Sequence, residues 1–194
     1  MVAKICHLTT VHPRYDTRIF AKMCKSLSQD FDLTLLVADG QGNETRDSID
    51  IFDVGDFTGS RVRRMLLGGY CILKKSLRLR ADLYHFHDPE LIIAGLVLKA
   101  FGKNVIYDVH EDVPRQIMRK HWIPAIYKTP LSFIISRVES LCALFFDAVI
   151  TVTPTIAQRF AGKQVIEVRN YPSLREFAIG DSEASRSAVR SHAI

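Results

Sequence analysis

Two clusters of histidines and carboxylates, His85-Phe86-His87-Asp88-Pro89-Glu90 and Tyr107-Asp108-Val109-His110-Glu111-Asp112, hold the residue types that move protons, ligate metals or bind hydroxyls. Each closes a short apolar run, Leu83 to His87 and Asn104 to Val109, and each gives way to a helical pattern. In an open parallel sheet, ligands bind outside the carboxyl ends of the strands, so both clusters are expected at a crevice. His110, flanked by Asp108, Glu111 and Asp112, is the first candidate for a catalytic group, because nearby carboxylates would fix its tautomer and shift its protonation. A purely structural His110 is the alternative. His85 and His87 share one face of a strand, so a metal site formed from them with Asp88 is geometrically open, though no HExxH-type spacing accompanies it. The plainer reading packs His85 in the sheet and lets His87-Asp88 cap the helix starting at Pro89-Glu90.

A third polar segment, Thr9 to Arg18, follows the first apolar run and should lie at the same sheet edge. Its hydroxyls, among them Thr10, with His12, Arg14 and Arg18 beside a helix start, suit phosphate or sugar oxygens. The competing reading is a solvated loop with Arg18 paired to Asp16. Neither GxGxxG nor a Walker sequence is present.

The elements that must position these residues alternate. Strands are expected at Ala3 to Leu8, Phe31 to Ala38, Ile49 to Val54, Leu83 to His87, Asn104 to Val109, Asp147 to Val152 and Val165 to Val168. Helices are expected at Thr17 to Ser28, capped by Asp16 or Thr17, at Val62 to Leu79 with a weak point at Gly68-Gly69, and at Glu90 to Phe101, stopped by Gly102. More follow over 113–146, and a short one starts at Pro154. Strand-helix alternation implies α/β architecture: a doubly wound, parallel, Rossmann-like sheet in a single domain spanning 1–175, with 176–194 a linker or tail of small polar residues.

The bulk figures narrow the setting. With 194 residues, 47% hydrophobic, and a formal charge of +5, the chain reads as one globular domain with anionic partners. Cys6, Cys24, Cys71 and Cys142 form no CxxC pair, which argues against a disulfide framework or zinc ribbon and for a reduced, cytoplasmic protein. The N-terminus enters a strand directly, and no apolar run reaches the roughly 18 residues that span a bilayer.

Taken together, the Val-His-Pro-Arg-Tyr-Asp-Thr-Arg loop, His-Phe-His-Asp-Pro-Glu-Leu, Tyr-Asp-Val-His-Glu-Asp, the Thr-Val-Thr-Pro junction and Arg-Asn-Tyr-Pro resemble the N-terminal half of family 4 glycosyltransferases of the GT-B fold, over about residues 3–175. The resemblance implies transfer of a sugar from a nucleotide-sugar co-substrate, usually with retention and no bound catalytic metal, often onto lipid-linked acceptors of cell-surface polysaccharide. It sets His110 opposite the donor sugar and His87, Asp88 and Glu90 on the acceptor side, with Asp108 and Glu111 beside them. The loop carrying Thr10, His12, Arg14 and Arg18 would lie near the sugar and leaving phosphate. Where family members carry a glycine-rich loop, this chain has Thr-Thr-Val-His-Pro. The family's nucleotide-sugar domain, with its Glu-x7-Glu type motif, has no counterpart after Tyr171-Pro172. The expectation is half an enzyme, a truncated product or a subunit completed by a partner, with little or no turnover alone.

Basic residues mix with apolar ones at Arg61, Arg63, Arg64, Lys74, Lys75, Arg78 and Arg80, around Met65, Leu66, Leu67, Ile72 and Leu73, and again at Arg115, Arg119, Lys120, Trp122 and Lys128. Each suits an anionic membrane surface, and each is equally a helix with a solvated basic face. Nucleic acid is not expected, since no basic segment carries interleaved stacking aromatics. A non-catalytic sugar- or lipid-binding scaffold and half of a nucleotide-sugar epimerase remain open alternatives.

Overall fold

Strand pairing across the chain produces one eight-stranded sheet in a computed structural model that describes residues 2–57, 59–160, 162–169 and 171. The strands are β1 (Lys4–Leu8), β2 (Asp32–Val37), β3 (Glu44–Arg46), β4 (Ile49–Asp53), β5 (Leu83–Phe86), β6 (Asn104–Val109), β7 (Ala148–Thr151) and β8 (Val165–Glu167). Their order is β3-β4-β2-β1-β5-β6-β7-β8, and every pairing is parallel except β3 with β4. The helices are α1 (17–27), α2 (61–79), α3 (89–100), α4 (Val113–Arg119), α5 (Ala125–Ala143) and α6 (154–160). The tail expected at 176–194 and Pro172 lie outside the described residues.

Period-two alternation sorts the core into two layers. One face of the sheet presents Cys6, Leu8, Leu36, Tyr84, Phe86, Val105, Tyr107 and Val149 to α2, α3, α5 and α6. The other presents Ile5, Leu33, Leu35, Val37, Ile49 and Ile51 to α1, through Ile19, Phe20 and Cys24. Helix α3 approaches the sheet closely because Gly95 has no side chain: a Cβ there would lie 2.8 Å from Phe86 and 3.0 Å from Phe146. Asp16 caps α1, accepting from the amides of Arg18 and Ile19, and Gly102 (φ +71°) ends α3 in the left-handed conformation that a side chain resists.

The expected doubly wound sheet is present, with two local departures. Glu44–Arg46 forms an edge strand where none was expected. It is three polar residues long, and the two-residue hairpin joining it to β4 uses Asp47 (φ 52°) and Ser48 (φ 62°) in place of the Asn-Gly or Asp-Gly that would announce such a turn. The helix over 61–79 runs unbroken through Gly68 and Gly69, with wide π-type turns at Arg64–Gly68. Similar turns begin α1 at Thr17–Cys24, so both widened segments carry residues that reach the site.

Candidate functional site

The strand order reverses direction between β1 and β5, and the polar residues that end β1, β5 and β6 meet there. Asp88, immediately after β5, is the hub of the loop after β1. Its Oδ2 accepts from Thr9 Oγ1 (2.9 Å), the Thr10 amide (2.5 Å), Thr10 Oγ1 (3.2 Å) and the Val11 amide (3.2 Å). A carboxylate in this position replaces the backbone-only turn a glycine-rich loop would make. Asp88 therefore does not cap α3; its side chain makes no cap bond there. Glu90 accepts from Thr10 Oγ1 (2.5 Å) and from Arg64 (2.9 and 3.3 Å), tying α2 to the same loop.

Beneath the loop lies a buried polar chain. Arg18 holds Asp108 at two points, Nε to Oδ2 at 3.1 Å and Nη2 to Oδ1 at 2.9 Å. His87 Nδ1 lies 3.1 Å from Asp108 Oδ2, and His87 Nε2 lies 2.9 Å from His7 Nδ1. Burial pushes the Asp108 carboxyl up, but hydrogen bonds from His87 and Arg18 outweigh it and hold the group well below the usual carboxylate range. An ionised carboxylate only accepts, so His87 in its neutral form carries its proton on Nδ1 and takes the His7 proton on Nε2. His7 and His85 both stack on the His87 ring, with centroid distances of 5.2 and 4.6 Å. Burial, then the neighbouring histidines, depress both, His85 to about 3, so both are neutral at physiological pH.

His110 sits at the open end of this chain. Its Nε2 faces His12 Nε2 at 3.0 Å, and the same His12 nitrogen lies 3.3 Å from Asp88 Oδ1. A bare His12 nitrogen would repel that carboxylate, so His12 carries the proton there and His110 accepts it. The remaining His110 nitrogen, Nδ1, then bears a hydrogen; it is enclosed by the protein and has no hydrogen-bond partner among the described residues. Burial lowers the His110 pKa, with His12 and His87 adding to the effect, so the ring is neutral at pH 7. Three hollows converge on it. The main cleft, about 430 Å³, is lined by His12, Arg61, Arg64, His87, His110 and Lys120 among others. A second of about 250 Å³ opens over Asp16, Arg18 and Val152, and a third of about 440 Å³ over Glu111, Gln116 and Thr153.

Most of the residues expected at the site are brought together, and many are already satisfied within the protein. Thr10, His87, Asp88, Glu90 and Asp108 brace the cleft floor; Glu111 stands at its rim beside Gln116, 3.0 Å away. Arg18 pairs with Asp108 and not with Asp16. Arg14 is not at the cleft: it grips Asp39 (2.7 and 2.8 Å), Glu44 (2.6 Å) and the Gly42 carbonyl (3.0 Å), where it secures the edge strand. Nor is the start of α1 open to an anion, because Asp16 already occupies its first amides. The metal grouping of His85, His87 and Asp88 is also not formed, since Asp88 turns to the loop. Other combinations, His7–His85–His87 and His87–Asp108–His110, place ligand atoms within 4.8 Å of one another. Sequence reasoning missed His7, which its register opposite His85 could have revealed once β1 and β5 were known to pair. It read Arg61, Arg64 and Lys120 as suited to a membrane surface or as part of a solvated basic helix face; all three also line the cleft.

The order of the parallel strands, with the polar cluster at their switch point, defines a Rossmann-like domain of the kind that forms one half of GT-B enzymes. The chain belongs to glycosyltransferase family 4, whose family model matches residues 17–169. It is similar in structure to sucrose-phosphate synthase from Thermosynechococcus elongatus (TM-score 0.65, 11% identity, covering 89% of this chain and 49% of that one). It is also similar to a structure described as trehalose-6-phosphate from E. coli bound with UDP-2-fluoro glucose (0.52, 11%, 81% and 42%). A third likeness is to UDP-N-acetylglucosamine 2-epimerase from Rickettsia bellii (0.50, 12%, 82% and 41%). The chain thus spans about half the length of these solved proteins, or less. No curated protein matches it.

Proposed function

We propose that this chain is the acceptor-side half of a glycosyltransferase. It would move a sugar from a nucleotide-sugar co-substrate to a lipid-linked or saccharide acceptor, with retention of configuration, in the assembly of cell-surface polysaccharide. Family membership supports transfer at the coarse level, and a structural neighbour bound with UDP-2-fluoro glucose supports a nucleotide-sugar donor. The observation that carries the reading is the neutral His110 at the junction of three hollows, its Nε2 engaged by His12 and its Nδ1 without a partner among the described residues. Nδ1 is enclosed in the free chain, so in this reading a small turn of the His110 ring on substrate binding brings its hydrogen to a sugar hydroxyl at the cleft. Arg61 and Lys120, both lining the cleft, favour an acceptor that carries an anionic group. No resident metal is required for this scheme.

In this reading the donor is held mainly by a second domain or a partner subunit, and the chain alone turns over little or no substrate. It would work at the cytoplasmic face of a membrane, bound peripherally through basic residues such as Arg61 and Arg63; among the described residues no helix is long and apolar enough to cross one. The test is His110→Ala in the protein completed by its donor-binding half. Turnover should fall about 10²-fold, the usual cost of losing one preorganised donor, while acceptor affinity stays within about twofold. Unchanged turnover, or equal losses in both, refutes the assignment.

A second reading, half of a nucleotide-sugar epimerase, is favoured by the likeness to UDP-N-acetylglucosamine 2-epimerase. Inverted sugar formed from the donor with no acceptor present would establish it over transfer.

A further inference from the structure

Helix α5 turns several polar side chains inward and leaves a long apolar stripe outside. The side turned toward the protein carries Ser132, Ser136, Glu139 and Ser140, with half-buried Ile135 and Cys142 and core residue Ala143 beside them: Ser132 Oγ donates to the Pro114 carbonyl (3.0 Å), Ser140 Oγ donates to the Arg159 carbonyl (3.0 Å), and Glu139 accepts from the Tyr107 hydroxyl (2.6 Å) and pairs with Arg159. The side turned away carries Tyr127, Leu131, Ile134, Val138 and Leu141, continued by Phe145 beyond the helix, each between 37% and 67% exposed. That spacing, four and three residues by turns, is a single stripe. A helix on a water-facing surface shows the opposite distribution, with its apolar stripe against the core.

We propose that α5 lies in the plane of an anionic lipid bilayer, with the stripe from Tyr127 to Phe145 at the headgroup–acyl boundary. Charge selects this occupant. Over 120–146 the acidic and basic residues are Lys120, Lys128, Arg137 and Glu139, and the only acid among them faces inward and is buried. A second copy of the chain, packed stripe to stripe, would bring Arg137 toward its own counterpart with no carboxylate to neutralise either. Anionic headgroups accept those cations, and Arg137, its guanidinium 5.0 Å from the Phe133 ring, has the long stem that lets a charge reach the headgroups while its methylenes stay apolar. The start of the helix has an interfacial pairing as well: Trp122 is 70% exposed, with Lys120 Nζ 5.6 Å from its ring. With 19 residues, α5 extends about 28 Å along the surface. Gln116 and Lys120, just before it, line the main cleft, so the cleft opens beside the bilayer.

This deepens the peripheral-membrane reading above by naming the surface, and the two can fail separately. Trp122 is the only tryptophan, so its fluorescence reports on the start of α5. The full chain is titrated with vesicles of phosphatidylglycerol and phosphatidylcholine, with and without brominated acyl chains. The expected result is a blue shift with quenching by the brominated lipid, and a partition weakened about tenfold or more by Ile134→Glu with Leu141→Glu, and several-fold by the milder Ile134→Ser with Leu141→Ser. No lipid response from Trp122 overturns the proposal. So does binding that survives these substitutions but is lost in Arg61→Gln with Arg63→Gln, a result that would leave peripheral association standing through α2. A concentration-dependent dimer abolished by the same α5 substitutions, with no vesicle binding, would assign the stripe to a second copy instead.

Discussion

Arg18 and Asp108, ninety positions apart, form a two-point ion pair at 2.9 and 3.1 Å, with side chains 8% and 0% exposed. The pair joins the first helix to the strand that ends just before His110. Removing the cation leaves a buried carboxylate whose remaining partner is His87, and uncompensated buried charge is costly. Arg18→Met should lose about 3–5 kcal/mol of stability at neutral pH in urea denaturation. Arg18→Met with Asp108→Asn should recover part of that loss. An additive double variant would show that the pair is not the source of the effect.

Acid should act on the protein in two stages. His7 and His85 have folded values below their unfolded value near 6.5, so the unfolded chain binds more protons as pH falls. Stability is therefore full above about pH 6.5 and declines below it, by about 1.4 kcal/mol per pH unit for each histidine not yet protonated in the folded state. For His85 the decline continues to about pH 3. Asp108, depressed in the folded state, stabilises above its unfolded value near 4, and that contribution is lost as pH falls further. His85→Leu should flatten the first stage in melts between pH 7 and pH 5. An unchanged slope would remove His85 as its cause.

The sheet was legible because each parallel strand is a short apolar run ending in polar residues, and β1, β5 and β6 brought His12, His87 and His110 to one edge by topology alone. What the side chains do there was less legible. Whether Arg18 answers Asp16 or Asp108 depends on a contact spanning ninety positions. Arg14 lies four residues from Arg18 yet serves the opposite end of the sheet, at the edge strand that three polar residues did not announce. Helix α5 was expected as a helix, but its outward stripe emerges only once the core side is known, because a stripe of apolar residues reads the same whichever way it points.

Close packing at one glycine yields a stability prediction. A methyl at Gly95 would lie 2.8 Å from the Phe86 ring, which is itself fixed between Tyr107 (4.5 Å) and Phe146 (5.1 Å). The rings cannot withdraw easily, so α3 must lift from the sheet. Gly95→Ala should cost about 1–3 kcal/mol despite the better helix propensity of alanine. A neutral or stabilising result in thermal unfolding would mean that the aromatic stack gives way.

Asp88→Asn separates support from proton placement. An asparagine oxygen can take the place of Oδ2 and still accept from Thr9, Thr10 and Val11, so the loop should hold with a loss of about 1 kcal/mol. Its amide must then point toward His12, where Asp88 Oδ1 now lies 3.3 Å from Nε2. A donor meeting a donor is unfavourable, so His12 should move its proton to Nδ1, toward Asp16 at 3.6 Å. With that proton gone from between the rings, His110 must reverse as well and carry its own hydrogen on Nε2, leaving Nδ1 bare. Nitrogen-15 imidazole spectra at pH 8 should show both tautomers switched, and turnover of the completed enzyme should fall while the fold persists. Asp88→Ala, which orphans the loop donors too, should lose about 3 kcal/mol and speed hydrogen exchange at Thr10 and Val11. Wild-type tautomers in Asp88→Asn would mean that Asp88 braces the loop without setting the proton on His110.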